Sequence, residues 1–189
     1  MKFSFNGKLS VTDSPVLTAS KLSGLRLPSR TFAILTLMNH KVYFKEAAKV
    51  AEKSLCLRDK CGAVVVLDSK IIGEGYNGPA CDNLEDLKCN LDLTASSKPK
   101  SDRTCCLHSE WRAIIDAVRN AWDIRESTLC FARVDDDGNI LRSGLPYCTV
   151  CSRLALDNGV KHFALLHDTG VKLYDTQEYN DLSYKFHLQ

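Results

Sequence analysis

The sequence predicts an α/β fold in which strands and helices alternate along the chain. A β-branched run at residues 62–67 is followed, after a short turn, by a second apolar run that ends at 75–76. From residue 107 onward, apolar residues recur at helical spacing, and a strand, a helix and further strands follow between 128 and 174. These patterns predict one layered domain in which helices cover a sheet.

The first part of the chain supplies an arm, a helix and two strands. Residues 1–30 show no sustained periodicity, so we expect an N-terminal extension before a domain at residues 31–189. Apolar residues recur at helical spacing between Tyr43 and Leu55, which predicts a helix that packs on the core. The runs Gly62–Leu67 and Ile71–Tyr76 flank turn residues and predict a β-hairpin.

A long polar loop and a strongly amphipathic helix come next. Residues 78–105 mix Gly, Pro, Asp, Asn and Ser with three cysteines. Such a stretch is too long for a simple connection, and loops of this kind are commonly functional. The helix is predicted from an apolar stripe formed by Leu107, Trp111, Ile114, Ile115, Val118 and Trp122.

The last part of the chain adds three strands and one helix. The strands are predicted at Thr128–Val134, His162–Leu166 and Val171–Tyr174, and the helix at Cys148–Asn158. Gly159 closes that helix. A short turn at 168–170 predicts that the last two strands form a hairpin, and the residues after Tyr174 are predicted to be a polar tail.

Composition and charge exclude several classes of protein. Hydrophobic residues make up 44% and charged residues 25% of the chain, which is typical of a globular protein and not of a disordered or fibrous one. No window reaches the ~20 apolar residues of a membrane span, and the first ten residues lack a signal-peptide run, so we expect a cytoplasmic protein without membrane association. The net charge of +2 gives no long-range field for a polyanion. Nine cysteines in a reducing compartment indicate metal ligation and core thiols rather than disulfides.

One set of residues can hold a catalytic zinc ion. Catalytic zinc takes three protein nitrogen or sulfur ligands and leaves a position for water. His108 and Glu110 stand at the start of the amphipathic helix, and Cys148 and Cys151 open the next helix, where positions i and i+3 share a face. A helix N-terminus also favours the thiolate form. We therefore predict that the three ligand-type residues hold zinc and that Glu110 moves protons.

Each half of this pattern is common on its own. A structural zinc site with a fourth ligand from Cys105 or Cys106 is the alternative, and Glu110 would then be an ordinary first-turn carboxylate. The order and separation of the two halves match the H-x-E…P-C-x-x-C signature of zinc nucleobase deaminases, which favours the catalytic interpretation.

Between about residues 43 and 166 the chain resembles the cytidine and deoxycytidylate deaminase superfamily. The segments 61–66 (CGAVVV) and 75–78 (GYNG) are similar to V-G-A-V-I-V and G-Y-N-G of the deoxycytidylate branch, and 106–114 is similar to its C-x-H-A-E-x-N-A-I. The resemblance implies a three-layer α/β/α fold with a five-stranded mixed sheet and a zinc cofactor. It also implies that Asn77 contacts the substrate sugar.

Two residues and one turn depart from the pattern of that branch. Tyr147 separates Pro146 from Cys148, and Arg112 stands where the branch has Asn. The predicted hairpin of the last two strands is more similar to the cytidine deaminases that act on nucleosides.

The remaining cysteines divide into core thiols and loop thiols. Cys61 and Cys130 lie in apolar strands and are most simply core residues. Some deoxycytidylate deaminase relatives carry a second, structural zinc in the region of the long loop. The candidate ligands here are Cys81, Cys89, Cys105 and Cys106, with Cys56 close to the same loop in sequence.

The expected function is hydrolytic deamination of cytosine to uracil in a small nucleotide such as dCMP. The alternatives are a cytidine or deoxycytidine deaminase, an enzyme that edits RNA or single-stranded DNA, and a zinc-stabilised module without catalysis. Nucleic acid is the less favoured partner because the basic patch is small. Homo-oligomerisation is expected from the resemblance. Candidate phosphate-binding residues are Arg58, Lys60, Lys98, Lys100 and Arg103.

Overall fold

A computed structural model of the chain describes residues 29–89, 104–186 and 188, with side chains from residue 40 onward. The proposed arm lies outside the described residues except for Ser29 and Arg30, which begin the first helix. The domain boundary at residue 30 therefore stays a prediction. The candidate phosphate ligands Lys98, Lys100 and Arg103 also lie outside the described residues.

Helices and strands alternate along the chain as predicted. In chain order they are α1 (Ser29–Ala51), β1 (Lys60–Leu67), β2 (Lys70–Tyr76), β3 (Gly78–Pro79), β4 (Cys106–Leu107), α2 (Ser109–Arg119), β5 (Thr128–Val134), β6 (Ile140–Leu141), α3 (Thr149–Asp157), β7 (His162–His167), β8 (Gly170–Asp175) and α4 (Thr176–Phe186). No helix in the described part of the chain is long and apolar enough to cross a membrane.

The main sheet has the strand order β2-β1-β5-β7-β8, and the short β6 pairs with the end of β5. β7 runs parallel to β5, whereas β1 is antiparallel to both of its neighbours and β8 is antiparallel to β7. The predicted five-stranded mixed sheet is confirmed, as is the hairpin of its last two strands. β3 and β4 form a separate two-stranded ladder beside the sheet.

The sheet is covered on both faces, which confirms the three-layer architecture. Side chains alternate between faces along a strand. Val64 and Val66 of β1 therefore join the core under α1, whereas Ala63 and Val65 join the core under the other helices. The second core also contains Phe163 of β7 and residues of α2, α3, β8 and α4.

Three predictions about elements were wrong in detail. The first helix begins at Ser29 and ends at Ala51, so it is displaced from the predicted range. The predicted polar tail is the helix α4. The buried face of α2 is formed by small residues and Ile114, whereas Val118 is 48% exposed and Trp122, beyond the helix end, is 39% exposed. The predicted apolar stripe was therefore rotated away from the true buried face.

The reason for that rotation is the close approach of α2 to β2. A Cβ atom placed on Gly73 would lie 2.3 Å from the carbonyl oxygen of Ala113, and one on Gly75 would lie 2.3 Å from the carbonyl oxygen of Ser109. Glycine on the strand and alanine on the helix allow the two backbones to touch. This contact fixes the N-terminus of α2 over the end of the hairpin.

Candidate active site

The three predicted zinc ligands come together between the N-termini of α2 and α3. His108 is the N-cap residue of α2, and Cys148 is the N-cap residue of α3. Nδ1 of His108 lies 3.1 Å from Sγ of Cys151 and 3.4 Å from Sγ of Cys148. One imidazole nitrogen and two sulfurs within 4.8 Å of one another form a donor set that fits zinc, with a fourth position left for water.

The environment of the two cysteines differs. The hydrogen bond that Cys148 accepts from Cys151, together with the neighbouring His108, lowers the pKa of the Cys148 thiol to about 4. Burial raises the pKa of the Cys151 thiol well above its ordinary value. One sulfur is thus poised as a thiolate, which is the form that binds metal. The buried second thiol needs the positive charge of a metal to ionise.

Glu110 places a carboxyl group beside these ligands. It lies in the first turn of α2 and is only 7% exposed. The hydroxyl of Ser109 donates a hydrogen bond of 3.0 Å to its Oε2. Burial raises the pKa of Glu110 and the nearby Cys148 thiolate acts in the same direction, while His108 opposes them. A carboxyl group whose pKa lies closer to neutrality is suited to both accept and donate a proton.

A family comparison accounts for this arrangement. Residues 37–166 match the family model described as the cytidine and deoxycytidylate deaminase zinc-binding region, which is more than half of the chain. The chain belongs to the cytidine and deoxycytidylate deaminase family. The family assignment made from the H-x-E and C-x-x-C motifs is thereby confirmed.

Curated relatives of this deaminase family are similar over part of the chain. A deoxycytidylate deaminase of Schizosaccharomyces pombe is 38% identical over 41% of this chain, but the match spans only 25% of that protein. A deoxycytidylate deaminase of Mycobacterium phage D29 is 29% identical over 61% of this chain and 84% of its own length. The match to the first of these relatives therefore concerns a segment of 81 residues.

A solved structure supports the fold assignment. A cytidine deaminase of Burkholderia pseudomallei superposes with a TM-score of 0.51 at 16% identity, covering 74% of this chain and 94% of that one. At this identity the likeness concerns the fold alone. It confirms the cytidine-deaminase-like α/β architecture.

Asn77 precedes Gly78, which pairs with Leu107 next to His108, and its side chain is engaged with the protein. Its Oδ1 accepts hydrogen bonds from the N–H of Cys61 (2.8 Å) and the hydroxyl of Ser54 (2.6 Å). Its Nδ2 donates to the carbonyl of Asp59 at 2.7 Å. These bonds tie the end of β2 to the segment that leads into β1. Contact with the substrate sugar, which the resemblance implies, stays a prediction.

Arg112 organises the segment that follows β2, a role that sequence analysis did not foresee. Its guanidinium donates to the carbonyl of Pro79 at 2.5 Å and to Oδ1 of Asp82 at 2.7 Å. The other oxygen of Asp82 accepts a hydrogen bond from the hydroxyl of Tyr76. The guanidinium also stacks over the Tyr76 ring at 4.9 Å. The Arg that departs from the family pattern thus links α2 to the G-Y-N-G segment.

The unpredicted helix α4 brings further residues towards the site. Asn180 accepts a 2.8 Å hydrogen bond from Ser152 of α3. The ring of Phe186 meets Tyr147 edge-on at 4.9 Å, so the residue inserted before Cys148 packs against α4. Burial raises the pKa of Tyr179 well above its ordinary value, and the charge of Glu110 adds to this effect. Tyr179, Leu182 and Phe186 recur at helical spacing, and this is the sequence pattern from which α4 could have been predicted.

A second group of cysteines lies where β4 meets the long loop. The sulfurs of Cys56, Cys89 and Cys106 lie within 4.8 Å of one another. Sγ of Cys105 is 3.7 Å from that of Cys89 and 3.9 Å from that of Cys106. Cys81 is exposed in a short 3-10 turn and is not in this group. Three of the four predicted second-site cysteines therefore assemble, with Cys56 in the place of Cys81.

The described candidate phosphate ligands have protein partners. The guanidinium of Arg58 donates to the carbonyl of Cys89 at 2.7 Å. The ammonium of Lys60 lies 3.2 Å from a carboxylate oxygen of Asp136. The contact of Arg58 therefore stabilises the position of Cys89. Both side chains contact protein atoms, so their role in phosphate binding stays a prediction.

Proposed function

We propose that this chain catalyses the zinc-dependent hydrolytic deamination of cytosine to uracil in a small nucleotide such as dCMP, with release of ammonia. The observation that carries the proposal is the buried carboxyl group of Glu110 beside the His108, Cys148 and Cys151 donor set. Two relatives named deoxycytidylate deaminase support the choice of substrate.

Zinc held by His108, Cys148 and Cys151 would lower the pKa of its water to about 7 and so supply a nucleophile at neutral pH. Glu110 is placed to accept the proton that this water loses. The same carboxyl group then delivers a proton to the ring nitrogen as the oxygen adds to the ring carbon that bears the amine. Glu110 then accepts the remaining proton of the added hydroxyl group and passes it to the amine, so that ammonia leaves and uracil remains.

The low net charge favours a small substrate over a polymer. A formal charge of +2 gives the chain little long-range attraction for single-stranded nucleic acid. The antiparallel β7–β8 hairpin matches the expectation for enzymes that act on nucleosides, which makes a nucleoside the second candidate substrate.

The first prediction replaces the proton carrier. Glu110→Gln keeps the size of the side chain, but the amide cannot accept and return a proton. The rate of ammonia release from dCMP should therefore fall by about 10²–10⁴-fold or more. Zinc content, measured by atomic absorption, should stay at the wild-type level because the ligands are unchanged. Wild-type turnover in this variant would refute the assigned mechanism.

The substrate panel for this experiment separates the candidate functions. It consists of cytidine, deoxycytidine, their monophosphates and a single-stranded oligonucleotide. We expect dCMP to give the highest kcat/KM. Ammonia release from none of them by zinc-loaded protein would leave only a binding module.

We also propose a second, structural zinc held by Cys56, Cys89, Cys105 and Cys106. Two observations support this set: the sulfurs of Cys56, Cys89 and Cys106 lie within 4.8 Å of one another, and that of Cys105 lies 3.7 and 3.9 Å from those of Cys89 and Cys106. Zinc in a structural site takes four such ligands. Two zinc ions per chain are therefore expected from metal analysis.

Assembly and location complete the proposal. We expect a homo-oligomer, as the family resemblance suggests, and a cytoplasmic location, as the sequence composition suggests. Sedimentation velocity at several protein concentrations tests the assembly, and a single monomeric species throughout would contradict it.

A further inference from the structure

A cavity of about 620 Å³ opens where β5, β7 and β8 meet the loop at 142–145, which leads into α3. Its wall contains Arg133 from the end of β5, Arg142 from the loop and Lys172 from β8. His167 and Tyr174 also line it, and the Tyr174 hydroxyl lies 3.0 Å from Nε2 of His167. The cavity therefore combines an aromatic and imidazole surface with several cationic groups.

The balance of charge in this cavity favours an anion. The lining contains three basic side chains and one carboxylate, that of Asp168. Arg142 lies 2.7 Å from Asp168, but the two side chains are 70% and 72% exposed, so their attraction is weak in water. Lys172 stacks its ammonium over the Tyr174 ring at 4.1 Å, a contact that leaves its hydrogen-bond donors free to bind other groups.

Arg133 has donor capacity that the described residues do not use. Its Nε is buried and has no hydrogen-bond partner among them. An ion pair between Nη1 and a carboxylate oxygen of Asp59 is 3.7 Å long and partly exposed. A buried guanidinium nitrogen without a partner is costly, and a phosphate oxygen would satisfy it.

The loop that lines the cavity is tied to β7 and leads directly to Cys148. The N–H of Ser143 donates to the carbonyl of Leu166 at 2.8 Å, and the Ser143 hydroxyl accepts from the N–H of Leu166 at 3.0 Å. Leu145 of the same loop lines the cavity and stands three residues before the ligand Cys148, so their Cα atoms are at most about 11 Å apart. On the other side, Arg133 pairs in register with Cys61, whose N–H is bound by Asn77.

We infer that this basic cavity is the subsite for the phosphate of the nucleotide substrate, with Arg133 as its principal ligand and Arg142 and Lys172 beside it. The inference rests on the proposed function, because it gives that active site its preference for a nucleotide over a nucleoside. A planar guanidinium suits a phosphate because it offers paired donors in a fixed geometry.

The test compares dCMP with deoxycytidine in the zinc-loaded enzyme. Arg133→Met, Arg142→Met and Lys172→Met remove each positive charge and keep most of the aliphatic chain. At Arg133 we expect kcat/KM for dCMP to fall about ten- to a hundredfold, while the value for deoxycytidine changes less than about twofold. Arg133→Lys should recover part of the loss, because it restores the charge without the planar donors. Arg119→Met, at the far end of α2, is the matched control and should leave both substrates unaffected.

A binding measurement separates failure of the subsite from failure of the proposed function. Calorimetry with dUMP and deoxyuridine needs no turnover. If the wild type proves inactive but binds dUMP more tightly than deoxyuridine, and Arg133→Met removes the difference, the proposed function is wrong and the subsite stands. Equal weakening of both ligands, no change in either, or activity confined to an oligonucleotide overturns the inference. Should Arg133→Met fail to fold, the exposed Arg142 and Lys172 variants carry the same comparison.

Discussion

At the residue scale, spacing in the sequence predicted which side chains come together at the candidate site but not those that position them. His108, Cys148 and Cys151 do come together, and they could be selected with Glu110 because zinc ligation and proton transfer restrict the residue types that suit such a site. The contacts of Arg112 could not be foreseen, because its partners lie about 30 residues away and no local pattern encodes them.

Asn77 provides the second prediction. Asn77→Ala leaves the N–H of Cys61 and the carbonyl of Asp59 without their partner, so the free energy of unfolding should fall by about 1–3 kcal/mol. Thermal melting measures this loss. Asn120→Ala is the control, because this exposed residue bonds only within its own helix end and should change stability by less than about 0.5 kcal/mol. A variant with a wild-type Tm and no turnover would instead favour direct contact with substrate.

At the scale of elements, strands were predicted more accurately than helices. Short β-branched runs bounded by turns define β1, β5 and β7 almost to the residue. The buried face of α2 was misplaced because it is selected by contact with the glycines of β2 and not by the largest apolar side chains. α4 was missed because its sequence is mostly polar, and packing on α3 and the sheet stabilises it.

The contact between α2 and β2 gives the third prediction. Gly75→Ala places a methyl group against the backbone of Ser109 and Ala113, so the first turn of α2 must move. Overpacking of this kind costs about 1–3 kcal/mol, and it should also lower zinc content and kcat because His108 and Glu110 move with that turn.

Gly73→Ala is the matched variant for this experiment. It crowds Ala113 and Ala117, farther along the helix, and should destabilise the protein with a smaller effect on bound zinc. Full zinc content and wild-type kcat in Gly75→Ala would show that the first turn tolerates the movement.

At the scale of the whole molecule, cysteine chemistry is concentrated in two groups. One joins α2 to α3, and the other joins the segment before β1 to the long loop and β4. Sequence spacing defined the first group because C-x-x-C sits on one helix. The second group comes from three separate segments, so its membership depends on how the loop folds, and it took the structure to show that Cys56 rather than Cys81 belongs to it.

The last prediction concerns the second group and the stability of the whole chain. Cys56→Ser should lower the metal content from two zinc ions to one and reduce the Tm, because metal binding contributes directly to folding and the loop loses the ion that crosslinks it. Cys81→Ser is the control and should keep both ions, since Cys81 is exposed and outside the group. Ammonia release by Cys56→Ser should persist below its lowered Tm, because His108, Cys148 and Cys151 are untouched. One zinc ion per chain in the wild type would refute the second site, and loss of an ion in Cys81→Ser would assign a different ligand set to it.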